Sequence, residues 1–506
     1  MPPRPDTTDR SAATPGGLAG KAASGVVTER FVVTRRRRRS EAPWTVWLAL
    51  GAAGAAGLAV CGGRVGALPV GARWWYVLPG RTVVDGVAFY GSLALLVVAW
   101  LGLGGEARRG RLGPGRAWAV LGAWGLPLVL GPPLFSRDLY SYVAQGLVAH
   151  GGHDPYTSSP SVLGPGPVLA SVTAVWRSTP APYGPLFVSA ARGSAVLFGT
   201  SLTAEVVALR CLELAGVALV MVFLPRLARH HGVDPGVALW LGALSPLALL
   251  GCIASGHNDA LMVGLVVAGV ALVAEGRPGL GLVLCALAAA VKVPAAGAVV
   301  FVAVGSVRSV RGRARALALA RAVVVPAATV GAVTAASGLG WGWLGPGALR
   351  VPTDVRVLQT PSVALGSVLG EVLSSVGVHV HRHAVVTVVQ WTGVAVSAVV
   401  VLWLLAQVRR PDDVGLLGVA LAAFVLLSPT VWPWYLLWGL VLLAATTAQR
   451  SRALALGAAL AMLVVGPGGE PLLRGAGDVA VVAVVVAGGW WLVRRRRWAT
   501  VVSGLR

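Results

Sequence analysis

Charged side chains are scarce in this 506-residue chain. Asp, Glu, Lys and Arg make up 12% of the residues, against 56% that are hydrophobic, and the mean hydropathy is +0.76. A soluble protein of this length needs more polar surface, even when it folds as several domains. Lysine is nearly absent, because Lys21 and Lys292 are the two lysines among 42 basic residues. A lysine within an apolar segment is therefore conspicuous.

Cysteine is equally sparse, and no metal-binding spacing is visible. The four cysteines lie in or at the ends of apolar segments, at Cys61, Cys211, Cys252 and Cys285. In such places they are expected to be small buried hydrophobes rather than disulfide partners or metal ligands. The spacing of His, Asp and Glu makes no strong case for a metal either. We therefore predict no metal ligand and no cofactor, although a divalent metal requirement stays open.

Arginine is what the sequence has in excess. The net charge is +23 and the pI is about 11.5, values that also occur in nucleic-acid-binding proteins. Here, however, the arginines form short clusters at the ends of apolar segments, which is the pattern that orients membrane helices with their basic loops in the cytoplasm. We therefore expect a membrane-lipid environment and no nucleic-acid partner.

Apolar stretches of bilayer length repeat along the chain. They recur from Trp44 to Val493, and each has about 20 residues, enough to cross a bilayer core. A helical bundle satisfies that much apolar backbone internally. We therefore predict an all-α polytopic membrane protein with about 12–14 transmembrane helices. Residues 1–40, which end in the run Arg35–Arg39, are predicted to be a disordered basic cytoplasmic tail.

The arginine clusters also predict the topology. With Arg35–Arg39 inside, about fourteen crossings satisfy nearly every cluster and leave both termini in the cytoplasm. A long external loop then spans about residues 135–203, and Pro185–Phe198 and Ser362–Val376 are ambiguous segments that affect the count. Residues 279–306 must cross twice, as a short hairpin that turns at Lys292-Val293-Pro294 below the outer surface.

In this topology the unusual polar clusters all lie on the external side. Arg137-Asp138 follows the third helix, and His257-Asn258-Asp259 follows the fifth. Lys292 lies at the turn of the hairpin, and Trp432 to Tyr435 join two late helices. Since arginine positions alone determined the topology, this convergence predicts one site at the outer membrane boundary.

Each cluster has a simpler explanation as well. Asp138 beside Arg137 is also typical of a surface ion pair, worth at most about 1 kcal/mol. Asp259 fits a helix cap, and His257 an interfacial hydrogen-bonded histidine. Trp432 and Trp434 fit an aromatic belt as well as a sugar-stacking wall. Lys292 is the hardest to explain in this way, because an ammonium within an apolar segment is costly and usually functional, although snorkelling to the interface is an alternative.

Several of these segments carry a resemblance to a known family. The motifs that resemble it, in matching order over about residues 115–445, are Ser136-Arg137-Asp138-Leu139-Tyr140-Ser141-Tyr142, Gln145-Gly146, Gly152-His153-Asp154-Pro155-Tyr156, Pro182-Tyr183-Gly184-Pro185-Leu186, Gly256-His257-Asn258-Asp259-Ala260-Leu261-Met262, Lys292-Val293-Pro294, Leu427-Ser428-Pro429 and Pro433-Trp434-Tyr435-Leu436-Leu437-Trp438. They resemble the polyprenol-phosphomannose-dependent α-1,6-mannosyltransferases of actinobacteria, which belong to the GT-C superfamily of integral-membrane glycosyltransferases.

The resemblance implies a fold and a domain organisation. Residues 41–445 would form a GT-C-like transmembrane catalytic domain whose first external loop, about residues 135–203, is catalytic. Residues 446–506 would form a C-terminal helix pair with a basic cytoplasmic tail, and no family motif falls there. It also implies an acidic catalytic residue in the first external loop, a position that Asp138 occupies.

The activity implied is transfer of mannose from polyprenyl-phosphate-mannose to a mannan or lipoglycan acceptor at the outer membrane face. The donor of such enzymes is β-linked, so an α-1,6 product requires inversion by direct displacement. Asp138 is then the expected base, and Arg137 and Lys292 the expected ligands of the donor phosphate. The residues expected to bind sugar or acceptor are Tyr140, Gln145, Tyr156, Tyr183, His257, Asn258, Asp259, Trp434 and Tyr435.

A transporter or flippase of polyprenyl-linked sugars is the main alternative. It would also need a basic residue in the membrane. Transporters, however, commonly contain internal repeats with broken helices at the midplane, and we see no such repeat. A structural membrane protein is a weaker alternative, because it would not explain Lys292.

Overall fold

The computed structural model describes residues 43–66, 68, 83–199, 201–354, 360–378, 381–446 and 465–470. The predicted tail at residues 1–40 lies outside the described residues. So does the predicted C-terminal helix pair and tail at 446–506, apart from Thr446 and residues 465–470.

Three long helices open the described chain: α1 (Trp44–Val65), α2 (Val83–Arg108) and α3 (Pro114–Leu130). Glycines let α1 approach its neighbours closely, as is common in membrane helices. A Cβ on Gly54 would lie 2.8 Å from the Leu96 amide nitrogen, and one on Gly51 would overlap the Trp124 ring. The Trp124 indole instead donates a hydrogen bond of 2.9 Å to the Leu48 carbonyl.

The predicted long loop folds into short helices. They are α4 (Asp138–His150), a 3-10 turn (Pro160–Leu163), α5 (Pro167–Ser171), α6 (Ala174–Arg177) and α7 (Pro185–Phe198). Helices α4 and α7 pack face to face, because Gly146 lies against the backbone of Ala191 with no room for a Cβ. The first of the two ambiguous segments, Pro185–Phe198, is thus a 14-residue helix, about 21 Å long and shorter than a bilayer core.

The next group surrounds the break that carries the second polar motif. It comprises α8 (Leu202–His230), α9 (Pro235–Leu241), α10 (Pro246–Ala248), a π-helix (Leu249–Ala254) and α11 (Asp259–Ala274). The fifth predicted helix, over about Gly236–Ser255, is broken rather than continuous, because its two halves are bent by 52°; that they form one crossing stays a prediction. Pro246 has no N–H to continue the helix, and the Ser245 hydroxyl accepts from Ala248 N–H to start the next one.

The predicted break at Lys292 is confirmed, while the hairpin and its two crossings stay a prediction. Helices α12 (Pro278–Val291) and α13 (Ala296–Arg308) flank a 3-10 turn (Val293–Ala295). Lys292 itself is extended, with φ −153° and ψ 123°. The residue before a proline is biased away from helical angles, and Pro294 places that restriction at Val293, next to the break.

The described chain ends with a further group of helices. They are α14 (Arg313–Ser337), a 3-10 turn (Gly342–Leu344), α15 (Pro346–Asp354), α16 (Pro361–Ser375), α17 (Arg382–Gln407), α18 (Val414–Leu427), a 3-10 turn (Pro433–Leu436) and α19 (Leu437–Thr446). The last turn begins four residues after Pro429 of the Leu427-Ser428-Pro429 motif and carries Trp434 and Tyr435.

Helix length and composition confirm the fold class. Within the described ranges, five helices are long and apolar enough to cross a membrane, or six if the bent pair at Pro235–Ala254 counts as one span. The chain is therefore an all-α polytopic membrane protein. Shorter apolar helices such as α11 and α12 lie among them, and the number of crossings stays a prediction.

Candidate active site

A strained turn presents the first polar motif. Phe135 has a positive φ of 61°, the one such value among non-glycine residues in the described part of the chain. Such a conformation costs about 1–3 kcal/mol and is often kept at functional sites. The turn is held by Phe135 N–H, which donates to the Pro467 carbonyl at 2.8 Å. It leads into α4, where the Asp138 N–H donates to the Ser136 hydroxyl at 3.0 Å.

A glycine turn brings the second motif to the first. Gly256 has φ +68°, and a Cβ there would lie 2.6 Å from the Leu139 side chain. Only glycine therefore lets this loop lie directly against α4. The π-helix Leu249–Ala254 comes just before the turn, and π-helical segments frequently occur at functional sites.

The two motifs meet at Asp138 and His257. His257 Nδ1 lies 3.4 Å from Asp138 Oδ2, and the two side chains are 1% and 16% exposed. The imidazole also stacks on the Trp434 ring, with centroids 3.7 Å apart and planes 17° apart. Trp432 stacks in turn on the Trp434 ring, with centroids 4.9 Å apart. The histidine ring is thus fixed by stacking, and it lies beside the Asp138 carboxylate at the edge of a cavity.

Lys292 is paired with Asp259 rather than directed to solvent. Its Nζ lies 3.0 Å from each Asp259 carboxylate oxygen, and the Trp438 indole donates to Asp259 Oδ1 at 2.6 Å. The ammonium also lies 4.3 Å from the Tyr435 ring centroid and 5.8 Å from that of Tyr183. A lysine in this environment does not snorkel, because its charge is compensated inside the protein.

A polar cavity of about 410 Å³ lies beside Asp138. Its walls carry charged groups from three parts of the chain: Arg137 and Asp138 at the start of α4, Arg177 at the end of α6, and Glu470. Trp432 and Trp434 form an aromatic side. The Arg137 guanidinium is anchored by a hydrogen bond of 3.2 Å to the Leu68 carbonyl. Carboxylate, guanidinium and aromatic groups together are the side chains that bind a sugar or a phosphate.

A second cavity, of about 200 Å³, is largely apolar. Lys292 and Tyr183 lie on its wall, and aliphatic and aromatic side chains such as Leu349, Val351 and Phe424 form most of the rest. Trp176 and Trp432 line both cavities. The two spaces therefore adjoin, with one carboxylate–histidine pair on the polar side and one ammonium on the apolar side.

The other predicted site residues, apart from Tyr156, divide into two groups. Tyr435 and Tyr183 lie on the wall of the apolar cavity and Trp434 on that of the polar cavity. Tyr140, Gln145 and Asn258 are buried and line neither cavity as described. Their amide or hydroxyl atoms have no hydrogen-bond partner within the described ranges.

Tyr156 lies apart from that arrangement. It packs under Gly342, whose position has no room for a Cβ, and burial raises the pKa of its phenol above the ordinary value. Its phenol is protonated at neutral pH in any case and is a hydrogen-bond donor.

Three residues at the site carried no sequence signal strong enough to assign them a role. Trp438 lies in the last motif, four residues after Trp434, and the structure places its indole on Asp259. Trp176 and Glu470 lie in segments without a motif, so that only the fold brings them to the cavity. Among the described residues, no three His, Cys, Asp or Glu side chains are grouped as metal ligands would be.

Comparison with known proteins places these residues in a family context. A family model described as "Alpha-(1->6)-mannopyranosyltransferase, N-terminal domain" matches residues 47–308, and one described as "MptB C-terminal domain" matches residues 362–495. A probable alpha-(1->6)-mannopyranosyltransferase of Mycolicibacterium smegmatis is 36% identical over 457 residues, 81% of this chain and 79% of the relative.

Two further relatives carry the same description. Alpha-(1->6)-mannopyranosyltransferase A of Mycobacterium tuberculosis is 34% identical over 403 residues, 77% of each chain. Alpha-(1->6)-mannopyranosyltransferase A of Corynebacterium glutamicum is 31% identical over 420 residues, 77% of this chain and 84% of the relative. No solved structure matches.

Proposed function

We propose, on the premise that the chain belongs to the alpha-(1->6)-mannopyranosyltransferase family, that it transfers mannose from polyprenyl-phosphate-mannose to a mannan or lipoglycan acceptor. The product is α-1,6-linked, the anomeric configuration is inverted, and the reaction takes place at the outer membrane face. The relatives' descriptions name the sugar and the linkage. The donor, the stereochemistry and the location are our proposals for this chain.

One observation carries the choice of donor, namely the pair of adjoining cavities. A lipid-linked sugar has an apolar chain, a phosphate and a polar ring in sequence. The apolar cavity offers a wall for the chain, Lys292 a charge for the phosphate, and the polar cavity a space for the sugar. Trp176 and Trp432, shared by both cavities, would flank the bond to be broken.

Asp138 is the base in this proposal. As the acceptor hydroxyl oxygen attacks the anomeric carbon, its proton passes to the Asp138 carboxylate and the bond from that carbon to the phosphate oxygen breaks. The electron pair leaves with the polyprenyl phosphate. A single displacement of this kind needs one base and no covalent nucleophile. His257, 3.4 Å from Asp138, orients the carboxylate, and it is fixed in turn by its stack on Trp434.

Lys292 and Arg137 stabilise the leaving group. An ammonium has three N–H donors, and the bonds to Asp259 account for two. The third serves a phosphate oxygen at the end of the apolar cavity. Arg137 acts from the polar cavity, because a guanidinium has five N–H donors in a planar fork that matches phosphate, and its bond to the Leu68 carbonyl engages one of them.

The direct test uses membranes from cells with and without the protein, incubated with polyprenyl-phosphate-mannose labelled in the sugar. We expect label to appear in a mannan or lipoglycan fraction only when the protein is present. A transporter of lipid-linked sugar would instead move the label between the two membrane faces without attaching it to glycan, and that result would replace the proposal.

The proposed orientation predicts where introduced cysteines react. In a background without Cys61, Cys211, Cys252 and Cys285, cysteines at Thr157 and Val162 should react with an impermeant thiol reagent outside intact cells. Cysteines at Gly113 and Ala314 should react only after permeabilisation, because each lies beside arginines that resist translocation. All four positions are exposed, so that burial does not limit labelling. If the cysteines introduced at Thr157 and Gly113 react from the same side of the membrane, the result would contradict an external site.

A further inference from the structure

One wall of the polar cavity comes from a segment far from every motif. Residues 465–470 lie against the turn that presents Asp138, where Pro467 accepts the hydrogen bond of 2.8 Å from Phe135 N–H. Gly469 lies equally close to that turn, since a Cβ there would be 3.1 Å from Ser136 Cα. Gly468, Gly469 and Glu470 consequently line the cavity beside Arg137 and Asp138.

The fold of this segment presents the Glu470 carboxylate. Gly466 N–H donates to the Glu470 carbonyl at 2.7 Å, and Gly469 N–H donates to the Gly466 carbonyl at 2.9 Å. The Glu470 side chain folds back over its own segment and lies against Gly468. A Cβ on Gly468 would be 2.7 Å from Glu470 Oε2. Glycine at this position therefore leaves the room that the carboxylate occupies.

We propose that Glu470 binds hydroxyl groups of the acceptor glycan and determines acceptor specificity. This inference rests on the proposed function above. A carboxylate accepts from two neighbouring sugar hydroxyls at once, and such charge-assisted bonds are among the stronger ones in proteins. The Glu470 side chain is exposed in the cavity, and is thus accessible to a ligand.

The arrangement of the two cavities favours the acceptor over the donor. Gly468, Gly469 and Glu470 line the polar cavity and do not line the apolar one. The donor's chain occupies the apolar cavity, and its mannose enters the polar cavity at Trp176 and Trp432, which both cavities share. The acceptor hydroxyl must reach Asp138, because that carboxylate receives its proton. Residues 465–470 lie against the turn that leads to Asp138, so that Glu470 lies on the side from which the acceptor approaches.

The test measures initial rates of the full-length protein with polyprenyl-phosphate-mannose and a synthetic α-1,6-linked mannose disaccharide on an alkyl chain. Glu470→Gln should raise the KM for the disaccharide about ten- to hundredfold, as expected for loss of a charged hydrogen bond. Its kcat and donor KM should stay within about twofold of wild type. Gly468→Ala should act in the same direction, because the added Cβ displaces the carboxylate while leaving it in the chain.

Glu371→Gln is the matched control. Glu371 is an exposed carboxylate, paired with Arg382 at 3.3 Å, that lines neither cavity, and its replacement should leave both KM values unchanged. If the wild type transfers mannose and both Gly468→Ala and Glu470→Gln keep the wild-type acceptor KM, the inference is wrong and the proposed function stands. If the wild type transfers nothing from this donor, both fall. A variant that only folds poorly would lower the amount of active enzyme, not shift the acceptor KM alone.

Discussion

The Asp138→Asn variant should insert and fold but transfer mannose about 10²–10⁴ times more slowly, the range typical of general-base catalysis. The amide keeps the volume of the carboxyl group, and its oxygen still faces His257 Nδ1, 3.4 Å from the carboxylate oxygen it replaces. It cannot, however, take a proton from the acceptor hydroxyl. The loss should therefore lie in kcat, with the donor KM little changed, and initial rates with labelled polyprenyl-phosphate-mannose measure it.

Asp412→Asn provides the control for that variant. Asp412 also pairs with a histidine, His230, at 2.8 Å, and it lines neither cavity. Both variants should elute as monodisperse peaks in detergent, and only Asp138→Asn should lose activity. If the activity of Asp138→Asn stays within about threefold of wild type, the loss is far smaller than general-base catalysis requires. The base would then be another residue.

Replacing Lys292 should affect both stability and donor binding, and a second substitution separates the two. Lys292→Met leaves the Asp259 carboxylate buried without its cation, which costs about 3–5 kcal/mol and should lower the midpoint of thermal unfolding. Adding Asp259→Asn removes the uncompensated charge, while the new amide oxygen still accepts from the Trp438 indole, now 2.6 Å from Asp259 Oδ1. The double variant should consequently recover most of the lost stability.

Donor binding should not recover with stability. The double variant still lacks the ammonium at the end of the apolar cavity, so its donor KM should stay about ten- to hundredfold above wild type, as for loss of a charged hydrogen bond. Asp259→Asn alone, which keeps the ammonium, is the matched comparison. A double variant with the wild-type donor KM would assign Lys292 a structural role only.

Much of the fold could be predicted from the sequence because helices that cross a membrane require long, uninterrupted apolar stretches. Apolar length identifies α1, α2 and α17 directly, since a bilayer core requires it. The conspicuous Lys292 and the proline two residues later predict the break between α12 and α13. The convergence of Asp138 and His257 followed from topology alone, and the structure brings these side chains together.

The remainder depends on contacts that no local pattern encodes. The 52° bend after α9 is not predicted, because Pro246 lies within an apolar stretch long enough for one continuous helix. The pairing of Lys292 with Asp259 joins residues 33 positions apart, and the Trp438 bond spans 179. Glu470 reaches the cavity only because residues 465–470 lie on the Phe135 turn. Such juxtapositions require the tertiary structure.

The most direct test of the central claim is the stereochemistry of transfer by the purified protein in liposomes of defined lipid. The donor is β-linked polyprenyl-phosphate-mannose with ¹³C at the anomeric carbon, the acceptor is the alkyl mannose disaccharide, and the one-bond carbon–hydrogen coupling of the product reports its anomeric configuration. We predict an α-linked product, made by the wild type and about 10²–10⁴ times more slowly by Asp138→Asn. A β-linked product, or transfer that requires a nucleotide-linked mannose and ignores the lipid donor, would contradict the account.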